Sequence, residues 1–380
     1  MVMQVDRRTL LAGAASCAAA FAAPSRQYRA AIIGHTGRGN FGHDFDIAWN
    51  GIGQVAVAAV SDPDEKGRAR AQARSGAAKG YADYREMLRA EKPDLVTIGP
   101  RTVDQRIEMI TAVAEASAHI LMEKPLAGSV PEADAIAKIA ARHKIKIQLG
   151  HGARVSPLTA TIHKMVADGA IGELVEIRAR GKEDKRSGGE DLVVLGTHTF
   201  DQIRLFGGNP KWVFAHVTAK GREMARGDVR QGSEPVGLIA GDSIEALFGL
   251  ERGLHASFSS RANSHQKGER FGITLCGARG MIWRGAVRGG EAYILRSPDW
   301  RGSWEPVRAG STNQTPAFNP VNNTLALDLL SAIEENREPL CGIAEGRWTI
   351  EMVSGIYQSQ RLGRPVPFPL QDRRDPLATM

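Results

Sequence analysis

A chain of 380 residues, 42% hydrophobic and 24% charged, has the length for about two domains with buried cores, which excludes disordered and fibrous classes. Its net charge of +7 is spread over basic residues scattered among acids, and only 6% of the chain is aromatic. It therefore lacks the basic stripe and stacking platform of a nucleic-acid binder, and the excess charge reads as a basic surface suited to small anionic ligands. Of three cysteines, Cys17 lies in the leader, while Cys276 and Cys341 read as buried free thiols. No Cys/His group has metal-ligand spacing, so no metal site is expected.

Residues 1–23 read as an export signal. Arg7-Arg8 precede an apolar run from Leu10 to Ala23, and Ala20-Phe21-Ala22 offers a small-residue cleavage site. The paired arginines resemble a twin-arginine signal. The run is too short to span a membrane, so a periplasmic protein is expected after cleavage.

The next stretch organises the chain. Ala30 to Ile33 reads as a strand that breaks at Gly34 into a glycine-rich turn. Gly37, Gly39 and Gly42 have G-x-G-x-x-G spacing, and Asn40 to Trp49 is expected to open a helix. That context suits a dinucleotide pyrophosphate at a helix N-terminus; the competing reading is an ordinary strand–helix turn. Val55 to Val60 forms the second strand and ends near Asp62, where an acid would take the ribose hydroxyls and favour NAD over NADP. Strand caps are the competing use of such an aspartate.

Helix 65–74, a short helix 85–90, strand 95–98, helix 103–117, strand 119–122, helix 131–143 and strand 146–149 follow in order. This alternation predicts a parallel sheet whose strand carboxyl ends hold the ligand. Gly34 to Gly42, Asp62, Gly99-Pro100 and Glu123-Lys124-Pro125 all fall there. A lysine at such a position can share a substrate hydroxyl's proton, or pair with Glu123 as a solvated ion.

Beyond Gly150, helix 157–168 leads to strand 175–179, and 181–191 is a charged loop expected at the active site. Gly196 to Asp201 begins a helix on which His198 and Asp201 are three apart, so the carboxylate is expected to orient the imidazole. Strands at 212–217, 242–249, 253–260, 271–276 and 281–283 without intervening helices predict a large, mostly antiparallel open sheet. Long loops at 220–240 and 296–320, helices at 322–337 and 344–363, and an extended 365–369 complete the chain.

The glycine turn, Asp62-Pro63-Asp64, Pro93-Asp94-Leu95-Val96 and Glu123-Lys124-Pro125-Leu126-Ala127 together resemble the Gfo/Idh/MocA family of sugar and polyol oxidoreductases. The resemblance runs from about Arg29 to Leu370. It implies an α/β fold with an NAD-binding Rossmann domain at 27–150, a substrate and oligomerisation domain at 151–370, and a tail at 371–380. It implies catalysis by Lys124, His198 and Asp201. The implied cofactor contacts are Gly34, His35, Thr36, Gly37, Gly39, Asn40, Phe41, Asp62, Gly99, Pro100, Glu123 and Lys124. Substrate contacts are expected from Arg154, Glu190, Asp191 and His198.

One departure from the family pattern stands out. Where many members carry Asp four residues before the histidine, this chain has Val194. Glu190 or Asp191 is the expected substitute. The expected function is NAD-dependent oxidation of a sugar, cyclitol or sugar derivative. With an exported chain the cofactor is expected to be tightly held. This leaves open a glycosidase or lyase that oxidises its sugar transiently, and a non-catalytic carbohydrate binder. Homodimers or homotetramers are common in the family.

Overall fold

The computed structural model describes residues 26–262, 271–285, 290–297, 299, 301–309 and 320–380. The leader, Cys17 and part of the 296–320 loop lie outside the described residues. Two sheets organise the chain. The first has six parallel strands: β1 (Tyr28–Ile33), β2 (Val55–Ser61), β3 (Lys79–Tyr81), β4 (Leu95–Ile98), β5 (His119–Met122) and β6 (Ile147–Leu149), in the order β3-β2-β1-β4-β5-β6. The order reverses between β1 and β4, the crevice where such sheets bind ligands.

Local chemistry explains most of these elements. β1, β4 and β5 are short apolar runs whose side chains are almost all buried, as a sheet covered on both faces requires. Helix α1 (Glu65–Ser75) starts where the Asp64 carboxylate accepts from Gly67 N at 2.6 Å, and ends at Gly76 in the left-handed region. Asp83 caps α2 (Tyr84–Glu91) in the same way. Helices α3 (Arg106–Glu115) and α4 (Val130–His143) complete the crossovers. The added strand is β3, three residues too polar to show in a hydrophobicity pattern.

The expected helix after the glycine turn does not form. Gly42 and Asp44 both take positive φ, 64° and 62°, which a right-handed helix cannot continue. Only a 3-10 turn, Phe45–Ile47, remains, with Phe45 and Trp49 drawn into the core. The favourable helix dipole expected at this turn is therefore absent.

After α5 (Pro157–Ala167), β7 (Leu174–Arg180) enters the second sheet. The short α6 (Gly189–Val194) and α7 (Gly196–Gly207) precede β8 (Pro210–Ala219). The sheet continues through the strands Ser243–Leu250, His255–Arg261, Gly272–Gly277, Gly280–Gly285, Ala292–Leu295 and Trp304–Val307. Pairing is antiparallel except between β7 and His255–Arg261. One face packs on α7 and on α9 (Ile343–Leu362), while Val175, Phe214 and Leu247 stay exposed on β7, β8 and Ser243–Leu250.

The chain does not divide at one point. Helix α8 (Pro320–Glu334) returns to the first sheet, where Leu325, Leu329 and Leu330 join Tyr28, Trp49 and Leu121 in one cluster. Cys341 extends the edge of β6: its carbonyl accepts from Leu149 N at 2.8 Å. Residues 371–380 pack too, with Leu377 only 5% exposed. No helix among the described residues is long and apolar enough to cross a membrane.

Candidate active site

β4 and β5 run in register, Ile98 beside Met122, so the segments after them leave the sheet together. The buried Arg106 guanidinium ties them. It donates to the carbonyls of Glu123 (2.7 Å), Pro100 (3.0 Å) and Thr102 (3.3 Å). Burial lowers its pKa to about 10, against the pull of Glu123. The Lys124-Pro125 peptide is cis. Lys124 is 3% exposed, and its Nζ donates to the Val194 carbonyl at 2.9 Å. At position 194, where the family pattern has Asp, the lysine meets the backbone oxygen of a valine. Burial pulls its pKa down, with Glu123 opposing.

A cavity of about 260 Å³ opens in front of Lys124. His198 reaches it from α7, and Glu123, His43, Arg101, Lys182, Arg186, Gln202 and Arg284 add polar walls. Burial drives the His198 imidazole well below its usual pKa, and the charge of Lys124 pushes the same way. His198 is thus neutral at pH 7 and can accept a proton. For oxidation, we expect the acid limb of the kcat/KM profile to fall well below pH 6.5; a midpoint at or above 6.5 would refute a His198 base. Burial works against the charge of Glu123, but His43 donates to it through its backbone N (2.9 Å), His43 Nδ1 lies 2.5 Å away, and together they hold the carboxyl below its usual range.

Asp201 does not orient His198. Its carboxylate is fully buried and faces Arg154, whose Nε donates to both oxygens at 2.9 and 3.1 Å. Burial works against the Arg154 charge, yet Asp201 raises its pKa. Arg154 therefore serves Asp201 and lies outside the cavity lining, against the expected substrate contact. The ring nearest His198 is that of His151, 5.3 Å away and edge-on. His151, Asp201 and Cys341 bring three potential ligand atoms within 4.8 Å. Arg154 already neutralises the carboxylate, and His151 Nδ1 sits 3.4 Å from Cys341 Sγ, so the trio reads as core. Cys276 and Cys341 are both free and buried.

Burial lowers the His151 pKa to about 4. The unfolded chain protonates this residue near pH 6.5 and the folded chain does not, so stability is lost as pH falls from about 6.5 to about 4. We expect His151→Gln to flatten that part of a denaturation-versus-pH curve; an unchanged slope would show that other groups set it.

The expected proton-relay substitutes are structural. Glu190 accepts from Ser233 Oγ (2.5 Å) and Glu234 N (2.9 Å). Asp191 accepts from Ser260 Oγ (2.6 Å) and the amides of Lys182 and Glu183. Neither lines the cavity. The charged loop instead contributes Lys182 and Arg186.

The glycine turn needs a similar correction. Asp62 is fully buried and accepts from Thr36 N (3.1 and 3.0 Å), Thr36 Oγ1 (2.7 Å) and Asp64 N (3.0 Å). It braces the turn. Thr36 is a pin on Asp62, and His35 is bridged to Asn40. Asn40 Oδ1 accepts from Gly37 N at 3.0 Å. Phe41 packs with Ile32 and Val60 against Gly34, and its backbone presses on Gly99, so these residues are core. Pro100 serves through its carbonyl on Arg106.

Gly37 and Gly39 do line a cavity, one of about 340 Å³ with Arg101, Thr102, Ser233 and Glu234. Arg101 also borders the Lys124–His198 cavity, so the two adjoin. A Cβ at Gly39 would come within 2.6 Å of Arg101 N, and the φ of 91° there suits only glycine. The close turn, Arg101 and the adjoining cavities fit a dinucleotide's phosphates and nicotinamide. We expect Gly39→Val to weaken NAD binding at least tenfold, about 1.4 kcal/mol, in a fluorescence titration; unchanged affinity would remove this turn from the cofactor site.

His43, Arg101, Gln202 and Arg284 are among the wall residues that the sequence reading missed. Gln202 alone carried a signal, four positions after His198 on one helix face. Arg284 arrives on a hairpin that pairs with the distant β7, and left no local trace.

A six-stranded parallel sheet with a glycine turn at its switch point, and a buried lysine facing a histidine from a second domain, define a Rossmann-type oxidoreductase. Profiles of known families agree: an oxidoreductase family with an NAD-binding Rossmann fold matches residues 28–151, and the GFO/IDH/MocA C-terminal domain matches 159–283. The chain belongs to the Gfo/Idh/MocA family of NAD-binding oxidoreductases. It is 25% identical to the D-apiose dehydrogenase of Paraburkholderia graminis, with 93% of each chain covered. It is 23% identical to the levoglucosan dehydrogenase of Pseudarthrobacter phenanthrenivorans over 63% of this chain and 67% of that one. A levoglucosan dehydrogenase structure in complex with NADH superposes with a TM-score of 0.74 at 19% identity, covering 91% of this chain and all of that one.

Proposed function

We propose that this protein is an NAD-dependent dehydrogenase of a sugar, cyclitol or sugar derivative, in which Lys124 and His198 manage the proton of the reacting hydroxyl. The observation that carries this reading is the meeting of a buried lysine and a neutral histidine from two domains in one cavity, beside the glycine turn. NAD, when bound, supplies the hydride acceptor. Lys124 holds the hydroxyl oxygen, and His198 takes its proton. Gly37, Gly39 and Arg101 hold the phosphates, and Glu123 with His43 fixes the segment that carries Lys124. The relatives named above are dehydrogenases of small carbohydrates, which supports the substrate class. A panel of sugars and cyclitols assayed by nicotinamide absorbance tests it; no turnover by NAD-loaded protein would overturn it.

A second reading rests on Val194. Its carbonyl gives Lys124 no ionisable partner on that side to pass a proton onward. That suits a cycle in which proton and hydride return to the same sugar after a glycosidic bond is broken, with NAD retained throughout. Native mass spectrometry of the purified protein tests retention, and a nucleotide-free protein counts against this reading. The proposed leader fits a retained cofactor, and N-terminal sequencing of the exported chain checks it. Assembly into a homodimer or homotetramer through the open sheet face, where Phe214 and Leu247 are exposed, belongs to the same proposal.

A further inference from the structure

The walls of the Lys124–His198 cavity hold more positive charge than their surroundings neutralise. Arg101, Lys124, Lys182, Arg186 and Arg284 line it, with Glu123 the one acid among the described lining residues. Behind the wall, Asp184 takes Arg186 at 2.6 Å and Lys182 at 3.4 Å. Glu234 takes Arg186 at 2.8 Å and Arg101 at 3.7 Å. Arg284 has no carboxylate partner among the described residues. It is 6% exposed, and its one hydrogen bond there runs from Nη1 to Gln202 Oε1 at 2.7 Å. Its Nε is buried without a partner. A buried guanidinium whose support among the described residues is one neutral amide is costly unless a further partner completes it.

The support also aims it. Gln202 Nε2 donates to the His198 carbonyl at 3.2 Å, which turns the amide oxygen toward Arg284. Nη1 is thereby held, and the opposite Nε–Nη2 edge makes no hydrogen bond among the described residues, with Nε itself buried. That edge is a planar pair of donors matching the two oxygens of a carboxylate. Gln202 stands one helical turn from His198, a separation of about 5–6 Å that one sugar ring can span.

We propose that the substrate is an acidic monosaccharide, a sugar or cyclitol bearing a carboxylate, with the carboxylate seated on Arg284 and the reacting hydroxyl between Lys124 and His198. This rests on the dehydrogenase reading for the reacting end, while the acid-binding end stands on Arg284 alone. The carboxylate replaces the missing partner of Arg284, and a neutral sugar leaves that charge buried and unmatched. Specificity follows from this penalty, as it does wherever a buried polar group is left unpaired by the wrong substrate.

The test uses the full NAD-loaded protein and matched pairs: glucose with glucuronate, galactose with galacturonate, mannose with mannuronate, and glucose 6-phosphate as a third anion. At least one uronate should exceed its neutral partner about 100-fold in kcat/KM. In Arg284→Gln that ratio should collapse toward one, while Arg284→Lys should keep part of it. Equal use of neutral and acidic members, preference for the sugar phosphate, or an equal loss for both members of a pair in Arg284→Gln would overturn the proposal. Should no sugar turn over, the dehydrogenase reading fails, and calorimetric binding of the same pairs decides this one. Tighter uronate binding that Arg284→Gln abolishes upholds it, and equal binding overturns it.

Discussion

Lys124→Met is expected to lower turnover by about 10²–10⁴-fold while leaving NAD binding intact, because general acid–base groups contribute on that scale. The near-isosteric methionine keeps the buried stem and removes the ammonium that donates to Val194. Its burial makes the change a clean one: no solvent-exposed charge is altered, and the lost group is the one facing His198 across the cavity. Single-turnover hydride transfer should show the defect in the chemical step. A variant with wild-type turnover would show that Lys124 is a structural post between the two domains. A variant that lost NAD as well would place the lysine in cofactor binding.

The second large effect is on stability. Arg154→Leu should destabilise the fold by about 3–5 kcal/mol, the cost of leaving a buried carboxylate without its partner. Asp201 is fully buried, Arg154 is largely so, and their contact includes an Nη2–Oδ1 distance of 2.8 Å. Replacing both, as Arg154→Leu with Asp201→Asn, should recover a good part of that loss. Chemical denaturation of the three variants checks the coupling, and additive single losses would rule it out.

Much of the fold was legible in the sequence. The apolar runs that became β1, β4 and β5 are continuous and short, and glycine, proline or aspartate ends each one, so periodicity and punctuation agree. Lys124 and His198 were legible because each lies beside such punctuation, Pro125 just past a strand end and Gly196 at a helix start. The glycine turn misled because spacing says nothing about φ. G-x-G-x-x-G is compatible with a helix start, yet the left-handed Asp44 ends that option, and Thr36 claims Asp62. Asp201 misled in another way. Sharing a helix face with His198 gave it the opportunity of contact, but a buried carboxylate goes to the strongest donor in reach, and Arg154 outcompetes a neutral imidazole. Arg284 was invisible since it reaches the cavity only because its hairpin, Gly272–Gly277 with Gly280–Gly285, pairs with β7, a strand far earlier in the sequence.

The return of α8 to the first sheet bears on the order in which the protein is made. The apolar cluster of Trp49 and Leu121 lacks its last members until Leu325, Leu329 and Leu330 have been synthesised. The half that emerges first from the ribosome is therefore the half completed last, and a fragment ending near residue 150 would carry an open wound on its sheet.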